Sequence, residues 1–102
     1  MRQGEIWLLE QADAKARPAV VITRDSAIDR LRRVVVAPVT TTVRHIPTEL
    51  PVGQADGLAR EGVASMDNLV TVGRGELTRL LGRLAPGRWH EVGAAVRAAI
   101  DC

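Results

Sequence analysis

Short apolar runs separated by polar and glycine-containing stretches set the first picture of this chain. Glu5 to Leu9 is predicted as a first strand after Gly4, and the polar connection "QADAKA" leads to a second strand over Ala19 to Thr23. "RVVVAPVT", Arg33 to Thr40, is the clearest buried strand, with Pro38 turning its end towards an edge or a bend because proline brings no N–H to a ladder. Between these two strands, "RDSAIDRLR" sets Ile28 and Leu31 at helical spacing behind Asp25 or Ser26 as N-caps. That predicts a short helix or an ordered loop. "TTVRHIP" follows as a polar loop, an extended pattern resumes at Thr48, and "GQADG" marks a turn at Gly53 to Gly57.

In the second half, "GVASMDNLVTV" predicts a fifth strand that breaks or bulges around Asp67 and Asn68. "LTRLLGRL" fits strand and helix alike, and a last strand near Arg79 to Arg83 is the preferred reading. Pro86 suits a first helical turn, after which Trp89, Val92, Val96 and Ile100 recur at spacings of three and four, with Ala98 and Ala99 beside them. The expected fold is therefore mainly β with short helices, in the α+β class. It is a small, mostly antiparallel barrel closed by an amphipathic C-terminal helix, one domain over residues 1–102.

Composition narrows this picture. The apolar fraction of 46% comes without any Phe or Tyr and with only Trp7 and Trp89, so the core has to be aliphatic. Fourteen basic against twelve acidic residues give +2, a mild excess that permits a nucleic-acid partner without announcing one. All the basic residues but Lys15 are arginines, which suit bidentate phosphate contacts, although an arginine-rich composition is also a genomic habit. The single cysteine, Cys102, excludes an internal disulfide framework and a four-cysteine zinc site. "MRQGEIW" turns straight into a strand, and the longest apolar run, Val34 to Val39, is far below spanning length. A reducing cytoplasm is expected, with neither secretion nor membrane insertion.

Chemistry is first bounded by what the sequence lacks. It has no phosphate loop, dinucleotide fingerprint, nucleophile elbow or metal-spaced cluster, so neither a metal nor a nucleotide cofactor is expected. His45 is read as a loop residue and His90 as a solvent-facing position on the last helix. Two polar sites remain at the ends of buried strands, Arg17 before the second and Thr40 closing the third. Paired in one sheet, they would present a guanidinium and a hydroxyl side by side to a phosphate. Alternatively, Arg17 solvates a turn and Thr40 is only a good strand former.

Five segments in order, "RQGEIW", "RPAVVIT", "VVVAPVTTT", "IPTELPV" and "VASMDNLVTV", make the chain resemble the MazF/PemK-type toxin endoribonucleases over nearly its whole length. The resemblance implies an SH3-like β-barrel, a homodimer, an antitoxin partner, and metal-independent cleavage of single-stranded RNA at short sequence motifs. By motif position it sets the family's catalytic arginine on Arg17, in "ARP", and its catalytic serine or threonine on Thr40, in "APVT". Cleavage would run by attack of the 2′-hydroxyl on the neighbouring phosphorus, giving a cyclic phosphate and a free 5′-hydroxyl. Arg17 and Thr40 would stabilise the phosphoryl charge, whereas the base stays unassigned because arginine remains protonated.

"ADAKA" is shorter than the corresponding loop of many relatives and lacks their acidic residue before the arginine, Glu10 and Asp13 being out of that register. With few aromatic rings for stacking, RNA contacts are expected from Lys15, Thr41, Thr42, Arg44 and His45. Arg24, Asp25, Ser26, Asp67 and Asn68 are further candidates. Each of these is equally readable as a solvated loop residue, or for Asp67 and Asn68 as a supporting bulge. Trp89 is expected to pack the helix against the barrel. Two other functions fit the same architecture: an RNA-binding module that does not cleave, and a toxin acting on a protein such as DNA gyrase. Nothing in the closing "IDC" matches the gyrase-directed relatives.

Overall fold

In the computed structural model, which describes residues 1–100 and so leaves Cys102 outside, seven strands are joined by short turns and closed by a helix. They are β1 (Glu5–Leu9), β2 (Arg17–Val21), β3 (Arg33–Thr40), β4 (Glu49–Val52), β5 (Gly62–Ser65), β6 (Val70–Gly73) and β7 (Leu77–Arg83). A single turn of helix, α1 (Asp25–Ile28), precedes β3, and α2 (Trp89–Ile100) ends the described chain. Every strand pairing is antiparallel, in the order β4, β5, β3, β2, β1, β7, with β6 also on β3. Hydrogen bonding does not close this order into a ring. Instead the turn after β4 packs against β7, where Gly57, at φ +94°, and Gly82 let two backbones meet with no room for side chains.

β3 is the hub, and its sequence shows why. The Ile22 amide donates to the Val35 carbonyl at 2.9 Å, so the odd residues of β3 turn their backbone groups to β2 and the even ones to the opposite edge. Along that edge β6 pairs with Arg33 to Val36 and β5 with Val39 and Thr40. Pro38, which has no N–H to offer, falls at the seam between these partners. The expected fifth strand is thus two strands, divided by a 3-10 turn over Met66–Asn68 where the chain passes from one stretch of β3 to the other.

β2 begins two residues earlier than the apolar run suggests, because Leu9 of β1 pairs with Arg17 itself and draws the arginine into the ladder. α1 corrects a second expectation. Its N-cap position is Arg24, with no capping side chain, and Asp25 instead accepts the Gln3 amide at 2.6 Å. The helix ends before Leu31, which is exposed, whereas Ile28 is buried.

The core is aliphatic, in two clusters on either face of β2 and β3. Ile6, Val20, Ala37 and Val39 lie in one beneath α2, and Ala19, Val21, Val34 and Val36 in the other beneath α1. α2 buries Val92 and Ala95 with Val96 and Ala99 alongside, a narrower stripe than the sequence spacing suggests, since Trp89 and Ile100 are exposed. Its anchor is ionic. Arg88 donates to Asp56 at 3.2 Å, to the Pro51 carbonyl at 2.6 Å and to both Glu91 oxygens at 3.1 and 3.2 Å. Among the described residues, no helix is long and apolar enough to cross a membrane.

Candidate active site

Arg17 and Thr40 are brought together by strand register. β2 sets Ala19 opposite Pro38, Val20 opposite Ala37 and Val21 opposite Val36. Continuing that register by two residues sets Arg17 opposite Thr40, a spacing at which side chains on one face start about 5 Å apart. Proline at position 18 confines the arginine before it to extended backbone, as its place in the ladder requires. Thr40 is fixed from the other side, because β5 lies so close that a Cβ on Gly62 would come 2.5 Å from the Thr40 carbonyl oxygen.

Both residues line an open cleft of about 790 Å³ at this end of the sheet, together with Lys15, Thr41, Arg60, Glu61 and Arg79. Its charged lining is four cations and one carboxylate, in a chain whose net charge is only +2. Arg17 is exposed, and its side chain has no ion pair or hydrogen-bonded partner among the described residues. The Thr40 hydroxyl accepts the Thr42 amide at 3.1 Å, which leaves its own proton available to donate.

The remaining sequence candidates divide by place. Thr42, Arg44 and His45 lie on the exposed loop that leaves Thr40, outside the cleft lining. Glu49 holds this loop by accepting the Arg44 and His45 amides at 3.0 Å each, with His45 at φ +57°. Arg24, Asp25 and Ser26 lie beyond the other end of β2, about 13 Å or more from Arg17 at the usual rise per residue. Ser26 accepts from the Arg24 guanidinium at 3.2 Å, and Asp25 borders a separate depression of about 260 Å³ beside Trp89. Asp67 and Asn68 sit on the turn between β5 and β6, where Asp67 accepts the Thr48 hydroxyl at 2.6 Å and Asn68 donates to Ser65 at 3.3 Å.

Neither tryptophan lines the cleft. Trp7 is half-buried and Trp89 lies over Gly4, 36% exposed. The cleft residues that sequence reading missed are Arg60, Glu61 and Arg79. Arg79 reaches the site because β7 pairs with β1, Arg79 standing opposite Leu8.

An unpaired guanidinium on the register opposite a hydroxyl, in a basic cleft at the rim of an antiparallel sheet, is an arrangement able to donate hydrogen bonds to phosphate oxygens. The chain belongs to the PemK-like, MazF-like toxins of type II toxin–antitoxin systems, whose family pattern it matches over residues 2–100. It is 40% identical over 101 residues to the probable endoribonuclease MazF5 of Mycobacterium tuberculosis (strain ATCC 25618 / H37Rv), across 98% of this chain and 93% of that one. Among solved structures, it superposes on the Mycobacterium tuberculosis toxin MazF-mt6 with a TM-score of 0.88 and 36% identity, across 95% of this chain and 96% of that one. An endoribonuclease in complex with its cognate antitoxin, from a Mycobacterial species, gives a TM-score of 0.86 and 27% identity, across 98% and 94%. These matches bear out the family resemblance carried by the five sequence segments.

Proposed function

We propose that this toxin is an endoribonuclease that cuts single-stranded RNA at the cleft beside Arg17 and Thr40. The observation that carries the reading is one cleft lined both by Arg17, whose side chain is unpartnered among the described residues, and by Thr40, which the continued β2–β3 register sets opposite it. RNA holds its own nucleophile, the 2′-hydroxyl, beside each phosphodiester, so the protein has to align that attack and stabilise charge on the phosphoryl oxygens. Arg17 supplies two parallel N–H donors and Thr40 a third from the adjoining strand. Products are a cyclic phosphate and a 5′-hydroxyl. Lys15, Arg60 and Arg79 hold the flanking phosphates, and the open cleft admits an unpaired strand.

The toxin acts in the cytoplasm as a homodimer, and its cognate antitoxin silences it by covering this cleft. A relative solved with its cognate antitoxin supports that partnership. The test is cleavage of mixed RNA in EDTA by the purified protein, with sequencing of the 5′-hydroxyl ends. Arg17→Ala and Thr40→Ala each lose on the order of a hundredfold in rate, and DNA of the same sequence stays intact. Undiminished cleavage by Arg17→Ala overturns the mechanism.

A further inference from the structure

Arg17 and Thr40 account for charge stabilisation and leave the 2′-hydroxyl proton without an acceptor. Arginine stays protonated at neutral pH, lysine ordinarily does so, and a threonine hydroxyl is no base. The cleft lining contains a single carboxylate, Glu61, and no histidine. We propose that Glu61 is the general base that takes the 2′-hydroxyl proton, an assignment that rests on the endoribonuclease reading above.

The other carboxylates near this end of the sheet are placed or occupied elsewhere, Glu76 among them, which accepts the Gly73 amide at 2.7 Å and does not line the cleft. Glu10 and Asp13, on the loop before Arg17, do not line the cleft. Glu49 is held by the Arg44 and His45 amides, Asp67 by the Thr48 hydroxyl, and Asp56 by Arg88. Glu61 is exposed and, among the described residues, has neither an ion pair nor a hydrogen-bonded partner.

Its backbone is nonetheless fixed relative to the catalytic pair. The next residue, Gly62, is pressed against the Thr40 carbonyl, so the segment bearing Glu61 is locked to the strand end that presents the hydroxyl. The carboxylate rests over Gly53 at the end of β4, on the side of β5 away from Thr40, and this exposed side chain takes up the proton by turning from there into the cleft it lines. The charged groups that share the cleft lining with Glu61 are Lys15 from the β1–β2 loop, Arg17 from β2, neighbouring Arg60, and Arg79 from β7.

In the step so assigned, the O2′–H bond breaks as its proton passes to a Glu61 oxygen, and the O2′–P bond forms. The P–O5′ bond breaks with its electron pair on O5′, which takes a proton from water in the open cleft. Glu61 then returns its proton to the hydroxide left behind. A base in this position contributes about a hundredfold to ten-thousandfold.

The experiment compares wild type, Glu61→Gln, Glu61→Asp and Arg17→Ala on an oligoribonucleotide with one cleavable site. It measures kcat against pH and, in parallel, affinity for the same oligonucleotide carrying a 2′-deoxy sugar at that site. Glu61→Gln is expected to lower kcat by about a hundredfold or more and to abolish the acid limb of the profile. Affinity for the 2′-deoxy oligonucleotide stays within about threefold of wild type, and Glu61→Asp recovers part of the rate. Wild-type kcat or a retained acid limb in Glu61→Gln, with Arg17→Ala inactive, overturns the base assignment alone. A loss that shows wholly as weaker binding of the 2′-deoxy oligonucleotide also overturns it. A wild-type protein that cleaves no RNA overturns the endoribonuclease reading, and the assignment with it.

Discussion

Replacing Gly62 by alanine tests whether the catalytic pair proposed above, Arg17 and Thr40, depends on the close approach of β5 to Thr40. An added Cβ would lie 2.5 Å from the Thr40 carbonyl oxygen, 3.2 Å from the carbonyl carbon and 3.5 Å from Val39 Cγ1. Ordinary C···O contacts begin near 3.3 Å, so the two backbones must separate by roughly 0.8 Å. Both crowded atoms are main chain, and β5 meets β3 through only two pairs, Val39 with Ala64 and Thr40 with Val63.

Relief therefore has to come from separating β5 from the end of β3 that presents the hydroxyl. Overpacking of this kind costs about 1–3 kcal/mol, and displacing a catalytic group by about 1 Å costs on the order of a hundredfold in rate. Urea unfolding and initial cleavage rates, both taken well below the melting temperature, measure the two effects separately. Gly75→Ala is the control, since a Cβ there meets nothing within 4 Å, and its stability stays within about 0.5–1 kcal/mol of wild type. A Gly62→Ala protein that loses stability as expected and still cleaves at the wild-type rate would refute the dependence of the site on this contact.

Two predictions concern stability. Arg88→Met strands Asp56, which is 5% exposed, with only the Gly53 amide at 2.9 Å, and removes the donor to Pro51. A loss of about 3 kcal/mol is expected, with the exposed Glu91 contacts adding little, and urea titration beside Asp56→Asn and the double variant should show the pair to be coupled. Glu91 is held below the usual carboxylate range first by its hydrogen bond from Arg88, and Glu76 first by the Gly73 amide. Groups depressed in the folded state stabilise above their unfolded pKa, near 4.3 for glutamate, and lose that contribution as pH falls through the folded value. Melting temperature should thus fall on acidification below about pH 4–5, less steeply in Glu76→Gln and Glu91→Gln, and an unchanged slope in both would exclude these carboxylates.

What could be read from the sequence follows the reach of each interaction. β1 and β3 match their predicted bounds because each is a continuous apolar run whose identity does not depend on its partner. The bounds of β2 do depend on one: Leu9 pairs with Arg17, and no periodicity within residues 17–23 carries that contact. For the same reason one predicted strand became β5 and β6. Asp67 and Asn68 marked the interruption, but only the seam at Pro38 of a strand thirty residues away explains it.

The site divides along the same line. Lys15, Arg17, Thr40 and Thr41 were legible because they adjoin the ends of recognisable strands that pair with each other. Arg24, Asp25 and Ser26 adjoin β2 just as closely in sequence, yet they lie past its far end, and a strand's two ends serve different surfaces. Arg60, Glu61 and Arg79 carried no local signal beyond the glycines around "GLAREG" and the alternation of "LTRLLGR". Arg79 reaches the cleft through a pairing with Leu8, some seventy residues away in the chain. Glu61 lines it because Gly62, which follows it, lets β5 approach the Thr40 carbonyl closely, while its carboxylate rests over Gly53. Sequence reading looked for an acid in the loop just before Arg17. The fold brings one to the same cleft from the turn between β4 and β5, so the cleft has a carboxylate although the loop before Arg17 contributes none to its lining.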